Sequence, residues 1–222
     1  MAIRHFTSLL DLTSNELRIL IQRAIQLISQ RDPDYQPMKG KVLGMIFEKS
    51  STRTRLATET AVAHLGGHPM FLRGDDLQIG RGETISDTAK IISNFASALV
   101  VRTFKQSDVD ELGANASIPV LNALTDDDHP TQLLADWLTI RENFGKNISG
   151  RKFTYLGDGN NMAHAWLVMG AIMGAHVAVA TPSGKWAPKS ETINKAVEIG
   201  KRTGATIEVL TDPKAAAKGA SV

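Results

Sequence analysis

The chain has 222 residues, 42% hydrophobic and 22% charged, enough for one large or two small globular domains. Its net charge of +2, with no basic stripe interleaved with aromatic residues, argues against a nucleic-acid partner. The lack of cysteine removes disulfides, thiolate catalysis and Cys-ligated metal, and suits a reducing cytoplasm, the expected location.

Met1 to Leu12 has no continuous apolar core and includes Asp11, so it does not read as a signal peptide. No apolar run approaches the roughly 20 residues that a bilayer crossing needs, and no membrane partner is expected. Thr13-Ser14-Asn15-Glu16 reads as a capping box, followed by Leu17, Leu20, Ile21, Ala24, Leu27 and Ile28 at helical spacing. A loop over 31–41 contains Pro33 and Pro37. Strands and helices then alternate: strand 42–47, helix 53–65, strand 68–72, a polar loop, helix 85–96, strand 98–101, helix 107–115, strand 119–121 and helix 131–144. That alternation predicts an α/β domain with a largely parallel sheet.

Asn147 to Gly150 reads as a boundary, because the pattern restarts with strand 153–156, helix 162–173, strand 176–180, helix 190–201 and strand 206–210. The expected architecture is therefore two doubly wound parallel-sheet domains, residues 1–146 and 147–222, linked by a helix. The second reads as incomplete: the Lys/Ala stretch after Asp212-Pro213 should be a helix leading to a further strand, and the chain ends at Ala220-Ser221-Val222 without it. The sequence thus reads as C-terminally truncated.

In open α/β sheets ligands gather beyond the carboxyl ends of the strands, and each polar cluster falls there. Ser51-Thr52-Arg53-Thr54-Arg55 joins strand 42–47 to a helix. Free N–H groups and the helix dipole favour an anion at such a turn, and hydroxyls with guanidinium forks suit phosphate oxygens. A cap with solvated arginines accounts for one hydroxyl of the three. Arg102-Thr103 ends the strand at Leu99-Val100-Val101, where an arginine would point into the crevice or into solvent.

Asp126-Asp127-Asp128-His129-Pro130-Thr131-Gln132 opens helix 131–144, with His129 and Gln132 three apart, so both can address one ligand at its N-terminus. A structural histidine, or a metal held by Asp126, Asp128 and His129, is the alternative; the spacing matches no standard site. Gly157-Asp158-Gly159-Asn160-Asn161 resembles the opening of a dinucleotide fingerprint, but Met162 stands at the third glycine position. The next strand ends at Thr181-Pro182, where an acidic ribose ligand would be expected, so NAD is disfavoured. Polar Asn side chains at that turn suit an amino acid or other small polar ligand.

Five segments in order resemble the carbamoyltransferases, closest in pattern to the ornithine carbamoyltransferases. They are 47–55, 76–83, Val101-Arg102-Thr103, His129-Pro130-Thr131-Gln132 and 157–161. The chain departs from the family in the Leu56-Ala57-Thr58-Glu59 run, and the family's ornithine loop, His-Cys-Leu-Pro loop and terminal helix are not found in it.

The resemblance implies that Ser51, Thr52, Arg53, Thr54 and Gln78 bind carbamoyl phosphate, with Gln78 acting in a neighbouring subunit of a homotrimer or a multiple of trimers. Arg102 would bridge phosphate and carbonyl, His129 and Thr54 would polarise the carbonyl oxygen, and Gln132 would accept from the amide. Arg102, His129 and Thr54 are thus the implied catalytic residues, and Asn161 would orient L-ornithine. Neither a metal nor an organic cofactor is implied. Putrescine as second substrate, aspartate (disfavoured by Gln78), an inactive binding-only fragment and, remotely, an NAD-dependent oxidoreductase are the competing readings. The 222-residue chain is expected to bind carbamoyl phosphate weakly and to transfer little to ornithine.

Overall fold

The computed structural model describes residues 3–30, 32–79, 82–146, 148 and 151–222. Asn147, Ser149 and Gly150 of the expected boundary lie outside the described residues, as do Arg31 and, in the polar loop, Gly80 and Arg81. The elements run in the expected alternation: α1 (Ser14–Ser29), β1 (Val42–Phe47), α2 (Thr52–His64), β2 (His68–Arg73), α3 (Ile85–Ser93), β3 (Ala98–Arg102), α4 (Gln106–Asn115), β4 (Val120–Leu124) and α5 (Pro130–Phe144). There follow β5 (Lys152–Leu156), α6 (Asn161–Met173), β6 (His176–Ala180), α7 (Ser190–Thr203), β7 (Thr206–Leu210) and α8 (Pro213–Ala217). They form two compact units, Met1–Asp11 with Gln26–Asp126, and Leu12–Ile25 with Asp127–Val222.

The first unit holds a parallel sheet of order β2-β1-β3-β4. Strand order reverses beside β1, the switch at which doubly wound sheets open a crevice. Alternation along β1 feeds two cores. Leu43, Met45 and Phe47 pack with Val62 of α2 on one face. Ile46 packs on the other with Ala89 and Ile92 of α3 and with Val109 and Leu112 of α4. Helices on both faces of a buried sheet are what the continuous apolar strands predicted.

In the second unit the sheet order is β5-β6-β7. The capping box forms as expected: Glu16 accepts from the Thr13 N–H at 2.9 Å, and the Thr13 hydroxyl accepts from the Glu16 N–H at 3.2 Å. Arg18 then donates to the Met173 carbonyl at 3.2 Å, and Gln22 accepts from Arg141 at 3.1 Å, tying the start of α1 to this unit. Trp137 of α5 lies 5.5 Å from Phe153 and 5.8 Å from Trp166, centroid to centroid. Helix α6 is buried almost all round and sits so close to β6 that a Cβ on Gly170 would meet Val177 Cγ2 at 2.1 Å.

The expected helix after Asp212-Pro213 forms as α8, and no further strand follows it among the described residues. Beyond α8 the chain does not stop short of the sheet: Ser221 N–H donates to the Lys152 carbonyl at 2.8 Å, and Thr154 N–H to the Val222 carbonyl at 2.9 Å. With the parallel bridge from Ala220 to Lys152, these last residues begin a fourth track on the free side of β5. The sheet itself has three strands, β5-β6-β7.

Candidate functional site

In the first unit the polar groups gather at the carboxyl ends of β1 and β3, whose register sets Phe47 opposite Arg102. Ser51 is the N-cap of α2, extended at φ −158°, and its hydroxyl accepts from the Thr54 N–H at 3.2 Å. The cap reading therefore holds for this one hydroxyl. The N–H groups of Thr52 and Arg53 stand in the first turn, where no intrahelical acceptor exists. They are the donors that a helix start offers an anion.

Ser50, Ser51, Thr52 and Arg55 line a cavity of about 920 Å³, together with Glu48 and Phe104. Arg53 is exposed and makes no ion pair among the described residues, and Thr54 is half-buried; neither lines the cavity as it stands. Arg55, by contrast, is committed. Its Nε donates to Glu59 at 2.9 Å, and its guanidinium stacks 3.7 Å from the centre of the Phe71 ring. Of the two guanidinium groups in the motif, that of Arg55 is therefore already engaged, although it lines the cavity.

The β3–β4 ladder shifts register between Val101 and Arg102, a bulge of the kind that re-aims a side chain at a strand end. Arg102 is half-buried, donates from Nε to the Lys49 carbonyl at 3.3 Å, and receives Glu48 N–H on its own carbonyl at 2.9 Å. Burial lowers its pKa from the ordinary guanidinium value, because the charged form loses hydration. Arg102 is thus fixed against the segment that leads into the Ser51 turn.

Acidic neighbours at this end are accounted for. Glu48 accepts from the buried Thr103 hydroxyl, Asp126 pairs with Lys49, and Asp75 lies 3.7 Å from Arg73. Lys49 also sits 4.9 Å over the Phe104 ring. Gln78 is exposed and does not line the cavity of its own chain.

In the second unit His129 is the N-cap of α5, with Pro130 at the first helical position. Its Nδ1 lies 3.4 Å from the Thr131 hydroxyl. Gln132 is exposed and spends its amide N–H on Asp136 at 2.9 Å, so its carbonyl oxygen is the atom left to accept from a ligand. Burial raises the Asp136 pKa, and the bond from Gln132 opposes that rise.

At the head of α6 the two Asn residues separate. Asn160 is the cap, accepting from Met162 N–H at 2.8 Å and Ala163 N–H at 3.4 Å while donating to Asp158 at 2.7 Å. Asn161 occupies the first helical position. A Cβ on Gly159 would lie 2.2 Å from Pro188 N, because the loop after β6 crosses it, and Gly159 N–H donates to the Trp186 carbonyl at 2.6 Å. That glycine serves a packing contact. Thr181, where a ribose-binding acid would stand, is buried.

Among the described residues no cluster of His, Asp and Glu has the geometry of a metal site, and no helix is long and apolar enough to cross a membrane.

Residues 4–142 match the carbamoyl-P binding domain of aspartate/ornithine carbamoyltransferase, and residues 149–222 match its Asp/Orn binding domain. The chain belongs to the aspartate/ornithine carbamoyltransferase family. Among curated relatives in the family, an ornithine carbamoyltransferase of Anoxybacillus flavithermus is 48% identical over 99% of this chain and 70% of its own length. A catabolic ornithine carbamoyltransferase of Thermoplasma volcanium is 46% identical over 100% of this chain and 72% of its own. The ornithine carbamoyltransferase structure from Pyrococcus furiosus superposes with a TM-score of 0.93 at 41% identity, covering 99% of this chain and 70% of that one. The chain spans 64% of the length of some other curated family members.

Sequence reasoning missed one residue of this neighbourhood. His164 sits 4% exposed inside α6, three residues beyond Asn161. The available signal was a single polar letter in the apolar run Met162 to Met173.

Proposed function

We propose that this chain carries the chemistry of carbamoyl transfer from carbamoyl phosphate to the side-chain amine of L-ornithine, giving L-citrulline and phosphate. The observation that carries the reading is the Ser51-Thr52 helix start on a cavity at the ends of β1 and β3, in a segment that matches a carbamoyl-P binding domain. The phosphate is held by Ser51, Thr52, Arg53 and Thr54, with Arg102 reaching from phosphate to carbonyl. Gln78 adds a contact from a neighbouring subunit of a homotrimer, or of a multiple of trimers. Thr54 and His129 donate to the carbonyl oxygen as charge develops there, Gln132 accepts from the carbamoyl N–H₂, and Asn161 orients the amino-acid end of ornithine.

The neutral amine attacks the carbonyl carbon, and a C–N bond forms. The C–O bond to phosphate then breaks, phosphate leaves with the bonding pair, and the amine's proton passes to it. Each fixed donor to the developing oxyanion supplies roughly 3 kcal/mol. No step asks for a metal or an organic cofactor, and a cytoplasmic location suits the substrates.

Incubating the purified protein with carbamoyl phosphate and either L-ornithine or putrescine tests this reading. Weak binding of carbamoyl phosphate is expected, with at most a little citrulline from ornithine. Product from putrescine alone would reassign the second substrate, and failure to bind carbamoyl phosphate would overturn the reading altogether.

A further inference from the structure

His164 makes two hydrogen bonds that only one form of the ring can satisfy. The Lys189 N–H, which can only donate, lies 3.0 Å from Nε2, and the Asp127 carbonyl, which can only accept, lies 3.1 Å from Nδ1. The ring is therefore neutral, with its proton on Nδ1. Its two partners matter for where they lie. Asp127 stands two residues before His129, and Lys189 is the N-cap of α7. The same two residues are also joined through their side chains, Lys189 Nζ to Asp127.

We infer that His164 is a positioning residue: a neutral imidazole inside α6 that holds the turn carrying His129 with one nitrogen and the start of α7 with the other. Giving that turn a role in catalysis rests on the carbamoyl-transfer reading; the bridge itself does not. Desolvation lowers the His164 pKa, and Lys189 acts in the same direction against Asp127, which favours the neutral ring.

Two substitutions separate the halves of the bridge. In His164→Asn the amide N–H₂ falls near Nδ1 and keeps the bond to Asp127, while the acceptor for Lys189 is lost. In His164→Gln the amide oxygen falls near Nε2 and the reverse holds. The readouts are amides that close the two turns: Gln132 and Leu133, bonded to the His129 carbonyl, and Ile193, bonded to that of Lys189.

Hydrogen exchange in the unliganded chain is expected to quicken about tenfold at Gln132 and Leu133 in the Gln variant alone, and at Ile193 in the Asn variant alone, the factor that one ordinary hydrogen bond gives. Equal quickening at all sites in both variants would make His164 a general packing residue, and no change at any site would remove the bridge; either overturns the inference. If a variant fails to fold, imidazole ¹⁵N shifts of the unsubstituted protein at pH 7 decide it. A proton on Nδ1 alone is required, and an Nε2–H or charged ring overturns the inference. Carbamoyl phosphate titration of the same protein tests the functional reading separately.

Discussion

Arg55 stacks its guanidinium on Phe71, 3.7 Å from the ring centre, and this divides the labour within the Ser51 to Arg55 motif. An arginine so placed, with Glu59 one turn on, braces α2 against β2. Arg53, two residues earlier, has no such contact among the described residues.

The two arginines should accordingly respond differently to truncation. Arg53→Ala is expected to lower carbamoyl phosphate affinity by about 1.5–3 kcal/mol with little change in unfolding free energy. Arg55→Ala should cost about 0.5–1 kcal/mol of stability, most of it cation–π, since its ion pair is largely solvated. Calorimetric titration and urea unfolding on both variants check this; equal loss of affinity would mean that Arg55 serves the ligand.

His164 predicts a pH dependence of stability. Its pKa in the folded chain lies below the ordinary 6.5, so between the two values the unfolded chain binds more protons. Its contribution is then complete above about pH 6.5 and is lost as pH falls through the lower, folded value. His164→Asn should flatten that part of the stability curve. Denaturant unfolding from pH 8 to pH 5 would show an unchanged slope in the variant if the group were not responsible.

Much of the fold was open to sequence reasoning, because periodicity and caps are local. The strands 42–47, 176–180 and 206–210 and the Thr13–Glu16 box coincide with the observed elements. What sequence could not give is who meets whom across long separations. Asn160 reads as a ligand residue until its side chain is seen capping α6, Arg55 until Phe71 is found beneath it, and Gly159 as a nucleotide signal until Ala187 and Pro188 are found against it. The pairing of residues 220–222 with β5, and the His164 bridge, span more than twenty residues and leave no pattern in the letters between.

Gly159→Ala should be costly for a reason unrelated to nucleotide binding. The new Cβ would meet backbone atoms, Pro188 N at 2.2 Å and the Ala187 carbonyl carbon at 2.3 Å, which cannot rotate aside. A loss of about 1–3 kcal/mol is expected, the range for overpacking, with the loop 184–188 displaced. A melting temperature equal to the parent's would show that the loop accommodates the methyl.

His129→Ala separates binding from chemistry. In the proposed mechanism the imidazole donates to an oxygen that bears little charge in carbamoyl phosphate and most in the transition state, so its bond strengthens only as reaction proceeds. Removing it should leave phosphate affinity nearly intact and lower kcat about 10²–10³-fold in an active enzyme carrying this turn. Fold and stability should change little, since the His129 side chain does not cap a backbone N–H of α5, and Pro130 sets the helix start without it. Steady-state kinetics beside phosphate titration make the comparison. A rise in KM with kcat unchanged would mean that His129 contributes binding equally in ground and transition states, and its place at the oxyanion would have to be given up.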